Sequence, residues 1–137
     1  MEILEGNKLI NKYLGDREIK SPSYSPNIVR NGGWYHQSWD WLMPAIEKFE
    51  NGGGNYHVQH SPKWHTCFVV WDDNQDRIFE YYSYHEFEPN KTKLQRYWDA
   101  ITHYLRWKEK RKTFPDYIWS SRSIDNNKKD SYEQEQV

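Results

Sequence analysis

WHTCFVVWDDNQDRIFEYYSY, residues 64–84, decides the fold. Its first part, WHTCFVVW (64–71), is β-branched and aromatic, a composition suited to a pleated, half-buried surface. RIFEYYSY (77–84) has the same character, and the polar DDNQD (72–76) between them is a turn, so the stretch is an antiparallel hairpin. Upstream, YHVQH (56–60) reads as a further strand that turns at Ser61-Pro62; downstream, Pro89 ends the unit.

Helical spacing flanks these strands on both sides. With Asn90 or Thr92 as cap, Leu94, Tyr97, Trp98, Ile101, Tyr104 and Leu105 form a stripe at i, i+3, i+4, i+7, i+10 and i+11. On that helix Trp98 is core, Trp107 lies well off the stripe and His103 lies opposite it. Before the strands, Leu42, Ala45, Ile46 and Phe49 share one face of a helix over roughly 38–50, capped by Ser38 or Asp40 and stopped by Gly52-Gly53-Gly54. Pro44 places its regular start near Asp40, because proline is tolerated in a first turn. NKLINKYLG (7–15) predicts a short first helix with Asn7 as cap and Gly15 just past its end. Residues 16–33 read as a loop broken by Pro22 and Pro26, with a short strand around Ile28-Val29.

The expected architecture is one small α+β domain over residues 1–119, an antiparallel sheet sandwiched by helices in α/β/α layers, each helical stripe covering a sheet face. Residues 120–137 are polar, and a disordered tail is expected there. The composition explains how so hydrophilic a chain can build a core. Hydrophobic residues are 36% and aromatics 18%, with 8 Trp and 11 Tyr, so a few large rings replace many aliphatics. That is more aromatic surface than one such core needs, which leaves flat faces for recognition.

Charge and cysteine use narrow the function. The formal net charge is −1, and the one basic run, KEKRK (108–112), closes a helix where cations complement the dipole, so general nucleic-acid binding is disfavoured. Cys67 is the single cysteine, in an apolar run, and reads as a buried thiol. MEILEGNKL has no sustained apolar stretch, and CFVVW is too short to span a bilayer, so a soluble cytoplasmic protein without a membrane partner is expected.

No catalytic motif stands out. GGGN (52–55) follows a helix instead of opening one and lacks the Lys-Ser/Thr of a phosphate loop. His57, His60 and His65 near Cys67 resemble a metal cluster, but His57 and His60 point to opposite faces of a strand. His85 with Glu86 and Glu88 shows no convergence. The expectation is therefore no catalytic residue, no metal and no cofactor.

The aromatics carry the functional reading. In GGWYHQSWDW (32–41), Trp34, Tyr35 and His36 precede the second helix beside its N-terminus, whose backbone N–H groups favour phosphate. Trp39 and Trp41 sit on the flanks of that helix's buried face, where they can be core walls or stacking surfaces. With Trp64 at the start of the hairpin and Arg30 or Arg77 to hold phosphates, these are the candidate ligand residues.

YHQSWDWLMPAIEKFE (35–50), preceded by a helix like NKLINKYLG and followed by one like TKLQRYWDAITHYLRW (92–107), resembles small uncharacterised phage and prophage proteins of the phage ABA-sandwich domain family. The resemblance spans about residues 7–108. The segment YHVQHSPKWHTCF (56–68) and the polar tail depart from the family pattern. The resemblance implies an α/β/α layered fold and a phage-type origin, with no established activity. Together these point to a non-catalytic counter-defence protein that sequesters a nucleotide-derived signal, ADP-ribose-like or cyclic, by aromatic stacking. The alternatives are a phage assembly or interaction module with exposed Trp and Tyr anchors, homo-oligomeric or with another protein, and a metal-dependent hydrolase using His57, His60 or His65.

Overall fold

Strand β2 (His65–Trp71) pairs antiparallel with β1 (Tyr56–His60) on one side and β3 (Arg77–Tyr84) on the other. Strand alternation then sorts the side chains. Thr66, Phe68 and Val70 share one face with Ser83, Tyr81 and Phe79 across the ladder, and with Val58 across the other. His65, Cys67 and Val69 point to the second face with Tyr82 and Tyr84. The DDNQD turn is held by the Asp72 carboxylate, which accepts from the backbone N–H groups of Asn74 and Asp76, both at 2.9 Å. The computed structural model describes residues 2–121. The predicted disordered tail falls almost wholly on residues 122–137, which lie outside the described residues.

A two-residue strand, β4 (Trp119–Ser120), adds parallel to β3, so the sheet is mixed, in the order β1-β2-β3-β4. Trp119 belongs there because its ring stacks on Phe79 at 5.4 Å and on His103 at 5.2 Å.

Helices α3 (Trp39–Glu50) and α4 (Lys93–Thr113) carry the two predicted stripes. The α+β class holds, but the layering differs from the expected sandwich: both stripes meet the same sheet face. Phe49 of α3 packs on Phe68 at 5.0 Å, and Tyr104 of α4 packs on Phe79 at 5.8 Å. Two apolar stripes and one apolar sheet face bury more surface by converging than by separating. Helix α1 (Ile3–Tyr13) packs on α4, and α2 (Pro26–Arg30) follows in the long connection.

Four local readings change. Asn7 is not a cap; α1 begins at Ile3 and Asn7 is fully buried within it. Ile28-Val29 is helical, because Ser25 caps a turn that begins on Pro26. Pro44 lies in the sixth position of α3, past the first turn, where it removes one N–H from the helical ladder. Trp107 and His103 are covered instead of facing away from the core. Trp107 is buried, its Nε1–H donating to the Tyr117 carbonyl at 3.1 Å, and the His103 ring stacks on Tyr81 at 5.0 Å. The segment 114–120 folds back along α4 and widens its buried face, which helical periodicity cannot reveal. Thr92 caps α4 with a reciprocal bond to Gln95, one of the two caps predicted.

Candidate functional site

Three tyrosines from three elements converge beside the C-terminal ends of α1 and α3. Tyr104 comes from the α4 stripe, Tyr13 closes α1 and Tyr56 opens β1. Their rings meet edge-on, Tyr13 to Tyr104 at 6.2 Å and Tyr56 to Tyr104 at 6.1 Å. Gly52 makes this possible: a Cβ there would stand 2.8 Å from the Tyr56 ring. Burial, reinforced by the Tyr56 phenol, pushes the Tyr13 hydroxyl up to about 12. Burial raises Tyr104 as well, again with help from its two neighbours. The Tyr13 and Tyr104 phenols therefore stay protonated at neutral pH and offer O–H donors.

Two lysines stand at the rim. The Lys48 ammonium donates to the Tyr13 carbonyl at 2.6 Å and lies 4.5 Å from the Tyr13 ring centre, with Lys108 at 5.2 Å from the same ring. Between these groups and Pro44, Glu47 and Asn51 opens a cavity of about 600 Å³. A side lobe of about 220 Å³ shares Tyr13, Lys48 and Lys108 and adds Lys12 and Lys112. Glu109 in that lobe is paired with Lys112 at 2.9 Å. A cleft with phenolic walls and a cationic rim suits a ligand that has a flat ring and an anionic group.

None of the eight residues singled out from sequence lines this cleft. Tyr13 and Tyr104 were legible only as members of apolar stripes, and Lys108 only as part of a helix-closing run; their convergence is tertiary. The eight themselves disperse. Tyr35 is fully buried, its O–H donating to Asn11 Oδ1 at 2.7 Å. His36 accepts from the Asn7 amide at 2.9 Å, and burial lowers its pKa. Trp34 rests edge-on against His36 at 5.2 Å. Trp41 is half-buried, with the Arg17 guanidinium 4.5 Å over its ring and Tyr35 edge-on at 5.1 Å. Trp39 flanks the core against Tyr97 at 5.4 Å. Arg30 is exposed and bonded to Asn27 Oδ1 at 2.9 Å. Trp64 is 65% exposed at one end of β2, and Arg77 pairs with Glu80 at 2.8 Å at the start of β3.

His57 and His60 fall on opposite sheet faces, His57 near Trp71 and His60 near Tyr97. Among the described residues, no group of three or more His, Cys, Asp and Glu side chains is placed to hold a metal ion. Nor is any of their helices long and apolar enough to cross a membrane. No family model, no curated protein and no solved structure matches the chain.

Proposed function

We propose that the chain is a non-catalytic binding protein that holds a nucleotide-derived anion in the tyrosine–lysine cleft. The observation that carries this reading is the cavity of about 600 Å³, walled by Tyr13, Tyr56 and Tyr104 under Lys48 and Lys108. Its size lies in the range of small-molecule sites, roughly 300–1,000 Å³. Phenols raised well above neutrality donate hydrogen bonds but do not serve as bases or nucleophiles, which favours binding over turnover. In the phage setting that the resemblance suggests, the corresponding role is counter-defence by sequestering a nucleotide-derived signal.

Isothermal titration against AMP, ADP-ribose and cyclic dinucleotides tests the reading. At least one should bind with micromolar or tighter affinity, with the affinity reduced about tenfold or more by Lys48→Ala combined with Lys108→Ala. Absence of heat with every member of the panel would sink it.

A second reading, an interaction module, is favoured by Trp64 and Phe87, 65% and 62% exposed. They flank the same end of the hairpin, since Phe87 meets Tyr84 at 5.8 Å and the Trp64 carbonyl accepts from His85 N–H. Under it, Trp64→Ala with Phe87→Ala should abolish a self-association peak in sizing or a partner pull-down while nucleotide binding is absent throughout.

A further inference from the structure

Arg96 lies in the first part of α4, far along the helix from the cleft, and is fully buried. Its Nη1 donates to Ser83 Oγ at 2.6 Å and its Nη2 to the Glu88 carbonyl, both neutral acceptors. Its Nε–H has no partner among the described residues. Among the described residues no carboxylate is within ion-pair distance of it: Glu88 and Asp99, the nearest acids on either side of it in sequence, are both taken by Lys91, at 2.7 and 2.5 Å. A buried guanidinium without a counter-charge is among the costliest arrangements in a protein interior, because charge has been removed from water and nothing of opposite sign replaces it.

The surroundings add further basic groups. His85 Nε2 is buried and also lacks a partner among the described residues. The His60 ring lies 6.2 Å from that of His85, and its Nδ1 shares a 2.7 Å hydrogen bond with Thr66 Oγ1. His60 is pushed below the usual histidine range first by burial, then by the positive fields of Lys93, His85 and Arg96. Lys93 is exposed and lies 5.5 Å from the Tyr97 ring and 5.8 Å from that of Trp39. Four basic groups from the end of β1, the segment after β3 and the start of α4 thus gather, with Trp39 beside Lys93.

We infer that Arg96, His85, His60 and Lys93 form a site for a small tetrahedral oxyanion, a phosphate or the phosphate of a larger molecule. Arg96 and His85 supply the buried donors, which a modest side-chain shift exposes to the ion. Half-buried His60 and exposed Lys93 form the side through which the ion enters, and Trp39 is the neighbouring wall. The site is independent of the tyrosine–lysine cleft and stands or falls separately from it.

The test is thermal unfolding of the full chain with increasing inorganic phosphate, against chloride at matched ionic strength. A saturable rise in Tm of about 4 °C or more is expected, as for a ligand held only by the folded state. Arg96→Met keeps the volume and removes the charge. It should abolish the rise while leaving the phosphate-free Tm unchanged or higher. His85→Gln, a second variant should Arg96→Met fail to fold, should weaken the phosphate midpoint at least fivefold. No saturable rise in the unsubstituted protein, or an undiminished one in either variant, overturns the inference. Calorimetry with a nucleoside monophosphate separates the two sources. Binding tighter than phosphate and reduced to the phosphate value by Trp39→Ala means the ion is part of a larger ligand; equal binding means a free oxyanion.

Discussion

Two buried polar clusters in this protein look alike in composition and differ in bookkeeping. In the first, Asn7 on α1 faces the Asn31 and Gly33 carbonyls at 2.9 and 3.2 Å, meets His36 at 2.9 Å, and accepts from Trp98 Nε1 at 2.9 Å. Asn11 beside it accepts from Tyr35 and donates to the Arg17 carbonyl at 2.7 Å. Both asparagines use donor and acceptor ends alike, and the cluster ties the loop before α3 to α1 and α4. The second cluster, around Arg96, leaves Arg96 Nε and His85 Nε2 without partners and the guanidinium without a counter-charge among the described residues. A satisfied network is architecture; an unsatisfied one costs stability and therefore points to a further partner.

The comparison breaks most visibly at Asn7. Asn7→Ala should cost about 3 kcal/mol in denaturant unfolding, because it opens a cavity and strands the Trp98 N–H and the His36 ring. A loss under about 1 kcal/mol would mean that this cluster is not the tie described here. Tyr35→Phe should cost about 1.5 kcal/mol, since only one hydrogen bond goes and Asn11 Oδ1 is left without its donor. No change in ligand affinity should accompany it, as the ring is fully buried; a loss of affinity at full stability would return Tyr35 to the ligand residues.

Histidine titration sharpens the contrast further. Burial lowers the pKa of His36, His60 and His103 in the folded chain. The unfolded state then binds more protons between the folded values and the unfolded value near 6.5, so stability rises with pH in that window. Their contribution is full above about pH 6.5 and falls away as pH drops through that value towards the folded ones. Unfolding midpoints from pH 7.5 to 5 should decline, and His103→Gln should flatten the decline; a midpoint independent of pH would contradict the burial. Bound phosphate should reverse the sign at His60 alone, because a protonated ring suits the anion. The smallest effect belongs to Trp64→Ala, within about 0.5 kcal/mol, as expected for a side chain 65% exposed. A larger loss would place Trp64 in the core.

The eight ligand residues chosen from sequence illustrate how far local pattern reaches. Trp39 and Trp41 were expected on the flanks of the α3 stripe, and both are half-buried there. Tyr35 and His36 were indistinguishable from surface aromatics, because nothing local announces that Asn7 and Asn11, more than twenty residues away, supply their partners. Cleft residues were hidden for the opposite reason. A tyrosine in an apolar stripe looks like core until its hydroxyl is seen to meet two others, as Tyr104 meets Tyr13 and Tyr56. Arg96 carries no local signal, because an arginine within a helix is by default solvated, and only burial makes its charge notable.

From sequence alone, this chain's strands, turn and main helices follow, because alternation, helical spacing and caps act over a few residues. The hairpin at 64–84, the Leu42–Phe49 stripe and the Thr92 cap needed no tertiary information. What the tertiary structure decided was which faces meet: both helices on one side of the sheet, the 114–120 segment folded over Trp107, and polar groups from distant segments either paired or left unpaired. Those outcomes depend on the burial of surfaces and the desolvation of charges, which are properties of the assembled chain and not of any short stretch of it.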